Sequence, residues 1–160
     1  IYESGADIAE IYVGGDKMVS MVEAGNSGNY TEFSHTVGFT QGTPTYDATD
    51  THVYFSKGSQ KQFLTFGSGD IADLNLYFPA VSGNFTLVIK QDGTGSRTVA
   101  SDGWLVFDSG GIAASGSGIV LWPGGTEPTL TTDANAVDIV TFYWDATNEN
   151  AYGVISLDFK

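Results

Sequence analysis

The residues that could do chemistry in this 160-residue chain are mostly carboxylates. Those in its more strongly patterned part are Asp70, Asp73, Asp92, Asp102, Asp108, Asp138 and Asp145. Two of them held about 5 to 10 Å apart beneath a cleft would suit glycoside hydrolysis, but loops this short offer little from which to build a cleft. Most lie at predicted strand ends, where Asp caps turns, whereas Asp73 and Asp138 fall within strands and are expected on a polar outer face. A small glycoside-processing enzyme is therefore only our third hypothesis.

Nucleophilic and metal chemistry have even less support. The chain has two histidines, His35 and His52, and no serine beside either stands in a nucleophile-elbow context. It has no cysteine, which excludes thiolate zinc sites and disulfides. The turn "QDGTGSR", residues 91–97, offers two or three of the roughly six to eight oxygens that calcium takes, and it does not open a helix as a phosphate loop does. We expect no catalytic residue, metal or cofactor, with calcium in this turn as a minor alternative.

Aromatic side chains are the remaining candidates for a binding site. Trp104, Trp122 and Trp144, with Tyr143 and Tyr152, could form a flat platform that stacks on sugar rings. Trp122 is followed by the loop sequence "PGG" and is expected near a loop. For each tryptophan we favour a place in the buried core. The alternative is contact with a glycan or protein partner through Trp104, Trp122, Trp144 and Tyr152.

The charge balance narrows the class of partner. The chain carries 19 acidic and six basic residues, a formal net charge of −13. Such a charge repels phosphate backbones and anionic membrane surfaces, so we expect no nucleic-acid binding. No stretch approaches the ~20 apolar residues of a transmembrane helix, so we expect no membrane insertion. The 21 glycines, few prolines and many β-branched and aromatic residues favour short strands joined by tight turns.

The strand pattern predicts an all-β fold. Residues 8–13 and 17–22 flank "GGD" as a hairpin, and alternation over 31–39 predicts a half-buried strand. The turn-rich segment 41–51 is the best linker. Further strands are predicted at 52–57, 61–66, 71–78, 84–91, 97–100, 104–107, 119–122, 136–144 and 151–159. Since no gap holds a helical crossover, we predict an N-terminal β-hairpin region over 1–40 and an antiparallel, jelly-roll-like β-sandwich over 51–160.

Two stretches carry a resemblance to a known family. "NFTLVIKQDGTGSRTV", residues 84–99, and "WPGGTEPTLTTDANAVDIVTFYWDATNENAYGVISLDF", residues 122–159, resemble a β-rich module of tailed-bacteriophage virion proteins, particularly tail-fibre and other surface structural proteins. The resemblance extends more loosely back to Thr51. Where that module usually runs directly from "RTV" to "WPGG", this chain inserts residues 101–121. Within the insertion, 109–118 is predicted to be a protruding, mobile hairpin loop.

The resemblance implies a function that composition alone does not. It implies a non-enzymatic structural component of the virion surface, of capsid-decoration, head-fibre or tail-fibre type. Such proteins are commonly homotrimers, so the implied partners are copies of the chain, other virion proteins and a host-surface glycan. The alternative hypothesis is a carbohydrate-binding module with Trp122 and Trp104 as its stacking platform.

Overall fold

The structure is a computed structural model that describes residues 2–5, 8–22 and 30–160. The chain divides into two compact units, Ile1–Gly38 and Phe39–Lys160. Strands dominate both units, and the helical content of the described part is a single 3-10 turn at Pro123–Gly125. None of the described residues forms a helix able to cross a membrane. The predicted all-β class is confirmed.

The first unit is a four-stranded antiparallel sheet. Its strands, in both chain and sheet order, are β1 (Tyr2–Gly5), β2 (Ile8–Val13), β3 (Asp16–Val22) and β4 (Tyr30–Phe33). Gly14 and Gly15 both have positive φ, which is the geometry of the tight turn that matches strand twist in a two-residue hairpin. The hairpin predicted over 8–13 and 17–22 is confirmed. The strand predicted over 31–39 ends earlier, at Phe33.

The second unit contains two sheets. Its strands are β5 (Gln41–Gly42), β6 (Asp50–Tyr54), β7 (Lys61–Thr65), β8 (Asp73–Tyr77), β9 (Gly83–Lys90), β10 (Trp104–Phe107), β11 (Val137–Asp145) and β12 (Asn150–Phe159). One sheet has the order β12-β11-β9-β7-β5, and the other has the order β10-β8-β6. The predicted strands 97–100 and 119–122 form only isolated bridges. The proposed linker 41–51 lies in this unit, where Tyr46 packs against the core and donates to the Gly69 carbonyl at 2.9 Å.

Pairing within these sheets is mixed rather than purely antiparallel. From β6 to β10 successive strands alternate between the two sheets, so that neighbours within a sheet run parallel. Parallel neighbours normally require a long crossover, usually a helix. Here a strand of the other sheet makes that crossover. The antiparallel pairs predicted from the sequence occur where β11 joins β9 and β12, and the parallel pairs differ from the expected jelly-roll pattern.

The core lies between the two sheets of the second unit. Phe55 and Phe78, which directly follow β6 and β8, meet aromatic residues of the five-stranded sheet. Phe55 lies 5.2 Å from Phe85 between ring centroids, and Phe78 lies 4.9 Å from Trp144. Each buried ring of this kind contributes about 1.5–3 kcal/mol. This packing gives a sandwich-like pair of layers.

The turn after β9 holds its own shape and does not fold the chain back along β9. Asp92 Oδ1 accepts the backbone N–H groups of Thr94 and Gly95 at 2.9 and 2.7 Å, and the Arg97 guanidinium binds Asp92 Oδ2 at 2.8 Å. The chain then crosses to the facing layer, where Val99 bridges Ile71 in parallel. The turn at residues 91–97 is confirmed; the Asp92 to Gly95 segment was also expected to fold the chain back antiparallel to β9, and that expectation is wrong because the chain crosses to the other layer.

Candidate binding surface

All three tryptophans belong to the core cluster, and Trp104 and Trp144 are the most deeply buried of them. Trp104 and Trp144 are each 1% exposed. Trp144 Nε1 donates to the Pro79 carbonyl at 2.8 Å, and its ring stacks on Phe78. Trp104 meets Trp122 edge-on, with 5.2 Å between ring centroids. Neither Trp104 nor Trp144 presents a ring face to solvent, so a platform built on them is not available to a ligand in the folded protein.

Trp122 lies at the border between core and surface. It is 8% exposed, and its Nε1 has no hydrogen-bond partner in the described structure. Its ring covers Gly153 of β12 so closely that a Cβ at that position would lie 2.6 Å from the indole. Leu121 bridges Tyr152 in parallel, which aligns this segment along the edge of β12. Trp122 is therefore held in a fixed position, and it also borders a surface groove.

We call the solvent side of the five-stranded sheet the outer face. Burial alternates along β7, β9 and β11, which identifies the outward positions. These, with the β12 positions paired to them, are Lys61, Phe63, Thr65, Asn84, Thr86, Val88, Lys90, Val137, Ile139, Thr141, Tyr143, Asp145, Asn150, Tyr152, Val154, Ser156 and Phe159. One carboxylate, that of Asp145, stands among them in a chain with 19 acidic residues. The outer face is thus depleted of negative charge.

One end of the outer face is apolar. Phe63, Val88 and Ile139 form a row across three strands, and Val137 pairs with Phe159 beside it. We call these five residues the apolar end. Phe159 is 48% exposed and the other four are half-buried. The run "FTLVI" in β9 is a sequence signal for this surface, because strands with one wetted face normally alternate more cleanly.

The other end of the outer face carries an aromatic groove of about 540 Å³. Tyr143 and Tyr152, which are cross-strand partners, are 50% and 45% exposed. Their ring centroids are 6.3 Å apart and their planes differ by 29°. Asn84, Thr141 and Trp122 also line the groove. Of the four residues predicted to contact a ligand, Tyr152 and the border residue Trp122 are here, and Tyr143 supplies the second exposed ring.

A second aromatic group crosses the outside of the three-stranded sheet. Tyr54, Tyr77 and Phe107 stack in sequence, with centroid distances of 4.5 and 4.9 Å, and Lys57 Nζ lies 3.8 Å above Tyr54. His52 Nδ1 is 2.9 Å from the Tyr77 hydroxyl. Burial, followed by the charge interaction with Tyr54, raises the pKa of Tyr77. Tyr77 is stacked between Tyr54 and Phe107, and Tyr54 also lies under Lys57, so the faces of these two rings are occupied.

Several of the candidate carboxylates accept hydrogen bonds from backbone N–H groups. Asp108 and Asp145 accept N–H groups of their own turns, as predicted for aspartates at strand ends. The hydrogen bond from Arg97 holds the pKa of Asp92 below its usual range, and that pairing leaves neither Asp92 oxygen for calcium. The sequence predicts solvent-facing carboxylates at Asp73 and Asp138, which is correct for the exposed Asp73 of β8 and wrong for Asp138.

Asp138 is only 2% exposed and points inward. It accepts the Thr131 N–H at 2.8 Å, the Thr131 hydroxyl at 2.7 Å and the Asp158 N–H at 2.9 Å. Three donors compensate for removing its charge from water, which strand alternation alone could not reveal. Among the described residues, no group of three or more His, Cys, Asp or Glu is placed to hold a metal.

Comparison with known proteins gives no family for the chain. No family model, curated protein or solved structure matches it. Its function has to be inferred from its own residues, and the outer face is the surface with the most distinctive chemistry.

Proposed function

We propose that this chain is a non-enzymatic structural component of the surface of a tailed-bacteriophage particle. It assembles with copies of itself, as a homotrimer, and with other virion subunits. The observation that carries the assembly part of the proposal is the apolar, acid-poor outer face. The resemblance of residues 84–99 and 122–159 to virion modules supports the phage particle as the place where the chain assembles.

Charge explains why the outer face suits self-association. A chain with a net charge of −13 repels a second copy, so a stable contact between copies must avoid the carboxylates. The five side chains of the apolar end include no carboxylate, and Lys61 and Lys90 flank them with two of the six basic side chains. The carboxylate of Asp158, next to Phe159, is paired with Lys160 at 3.1 Å. Contiguous exposed apolar surface on a soluble protein typically marks an interaction site. A closed symmetric oligomer buries the same surface on every copy, and the resemblance to virion modules favours three copies.

The alternative function, a carbohydrate-binding module with Trp122 and Trp104 as its platform, loses that platform because Trp104 is buried. Sugar contact, if retained, belongs to Tyr143 and Tyr152. Sugar contact at these tyrosines is compatible with assembly into a virion, because the groove and the apolar end occupy different positions along β11. Ile139 and Tyr143 are four positions apart along β11, which is about 13 Å at the usual rise of a strand.

Incorporation into particles tests the proposal. The chain is expressed with a tailed phage whose own copy has been deleted, and particles are purified by density gradient. We expect the wild-type chain to sediment with the particles and Ile139→Lys to be lost from them, because a charge at the centre of the apolar end opposes burial. Ile112→Lys is the matched control, since Ile112 is 69% exposed in the loop outside the outer face. Wild-type protein found only in the soluble fraction would refute the proposal.

A further inference from the structure

We propose that the aromatic groove, formed by Tyr143, Tyr152, Asn84, Thr141 and Trp122, binds a neutral glycan. The inference goes beyond structural assembly and assigns a ligand class to one end of the outer face. It rests on the proposed function only for its biological meaning, which is contact between the particle and sugar on a host surface. The binding itself depends on the groove alone.

The two tyrosines supply the stacking surface. Ring faces carry partial negative charge and attract the C–H groups on the apolar side of a sugar ring. Tyr143 and Tyr152 are about half-exposed, and no ring except their partner stacks on either of them in the described structure. Their ring centroids are 6.3 Å apart and their planes differ by a modest angle, so the two rings are neighbours in the groove without close face-to-face contact. The buried tryptophans and the self-stacked Tyr54 ladder lack this availability.

Polar groups beside the rings match the hydroxyls of a sugar. Asn84 is the cross-strand partner of Tyr143, and Thr141 lies two residues before it on the same face. An amide supplies both donors and an acceptor, and a threonine hydroxyl supplies one donor with acceptor lone pairs. These groups stand at the side of the aromatic surface, where sugar hydroxyls project from a stacked ring.

The lack of charged side chains among the groove-lining residues favours a neutral ligand. None of the residues lining the groove carries a charged side chain. An anionic glycan would lack a cationic partner there and would approach a chain with a net charge of −13. A cationic ligand would lack a carboxylate in the groove. A neutral polyhydroxyl chain requires neither.

Trp122 forms a fixed border of the groove. It is 8% exposed and lines the groove with part of its indole, whereas its Nε1 is buried. The close fit of the indole over Gly153 holds this side of the groove in place before a ligand arrives, which lowers the entropy cost of binding.

Affinity gel electrophoresis tests the inference directly. The full chain is run through native gels containing dextran, mannan or hydroxyethyl cellulose, and through a gel with anionic polygalacturonate. We expect retardation by at least one neutral polymer. Tyr143→Ala and Tyr152→Ala should each weaken that binding about two- to tenfold, and the double variant should abolish it. Tyr12→Ala is the matched control, since Tyr12 is 47% exposed but lies in the other unit.

Each outcome decides the inference. Retardation by a neutral polymer that is lost in the Tyr143→Ala/Tyr152→Ala variant, and kept in Tyr12→Ala, supports it. Retardation by none of the neutral polymers, by polygalacturonate alone, or equally in wild type and double variant overturns it. Circular dichroism confirms that each variant is folded. The same gels are run with Ile139→Lys, which should lose self-association and keep sugar binding. The tyrosine double variant should show the reverse. Failure of this inference is therefore distinguishable from failure of the proposed function.

Discussion

Replacing Gly95 with alanine should destabilise the second unit, because Gly95 combines a left-handed backbone with a crowded site. Its φ is +78°, where an L-residue costs roughly 1–2 kcal/mol. A Cβ would also collide with the Thr132 carbonyl oxygen and lie 2.8 Å from the Ala134 nitrogen. Both are backbone atoms, and the Thr132 carbonyl already accepts the Ser96 N–H at 2.7 Å. Overpacking of this kind typically costs about 1–3 kcal/mol, so we expect a total loss of about 2–5 kcal/mol.

The same turn offers a matched control. Gly93 has no positive φ, and a Cβ there would meet nothing within 4 Å. Gly93→Ala should be neutral or stabilise the fold by about 0.4–1 kcal/mol, because alanine restricts the unfolded chain. Urea unfolding followed by tryptophan fluorescence measures both, since Trp104 and Trp144 are buried. If Gly95→Ala and Gly93→Ala differ by less than about 1 kcal/mol, the reasoning from strain and crowding is wrong.

Two further predictions concern carboxylates. Asp138→Ala leaves three donors without their acceptor and should lower the free energy of unfolding by about 2–4 kcal/mol in urea titrations. Asp138→Asn should lose less stability. An unchanged urea midpoint for the alanine variant would contradict the role assigned to these three hydrogen bonds. Arg97→Met should raise the pKa of Asp92 toward its ordinary value of 3.8, measured by NMR titration of the carboxyl carbon. Since a depressed carboxyl pKa stabilises the fold above that ordinary value and the gain is lost as pH falls, this variant should lose less of its stability on acidification. An unchanged Asp92 pKa would refute that assignment.

Local strand patterns predicted the elements more successfully than their partners. The alternation in 84–91 and 136–144 places β9 and β11 within a residue or two of their observed bounds. The pattern records which side of a strand is buried, but it does not record which strand lies beside it. The parallel pairs therefore went unpredicted, because the chain crosses between layers at turns such as that of Asp92 and Arg97, which resemble hairpin turns in sequence.

The candidate site was only partly predictable for a similar reason. Large aromatics suit both a core and a binding surface, and the sequence does not separate the two roles. Trp104 and Trp144 fall on inward positions, whereas Tyr143 and Tyr152 fall on outward positions of a cross-strand pair. That pairing exists only once β11 and β12 are in register. The depletion of acid on the outer face likewise depends on residues from four strands that are far apart in the chain.

The mass of the purified chain in solution tests most directly the claim that the outer face is an assembly surface. Sedimentation equilibrium should give three times the chain mass of 16.9 kDa for the wild type and for Ile112→Lys, and the mass of a single chain for Ile139→Lys. A wild-type protein that stays at 16.9 kDa over the whole accessible concentration range, or an Ile139→Lys variant that assembles as the wild type does, would contradict the account.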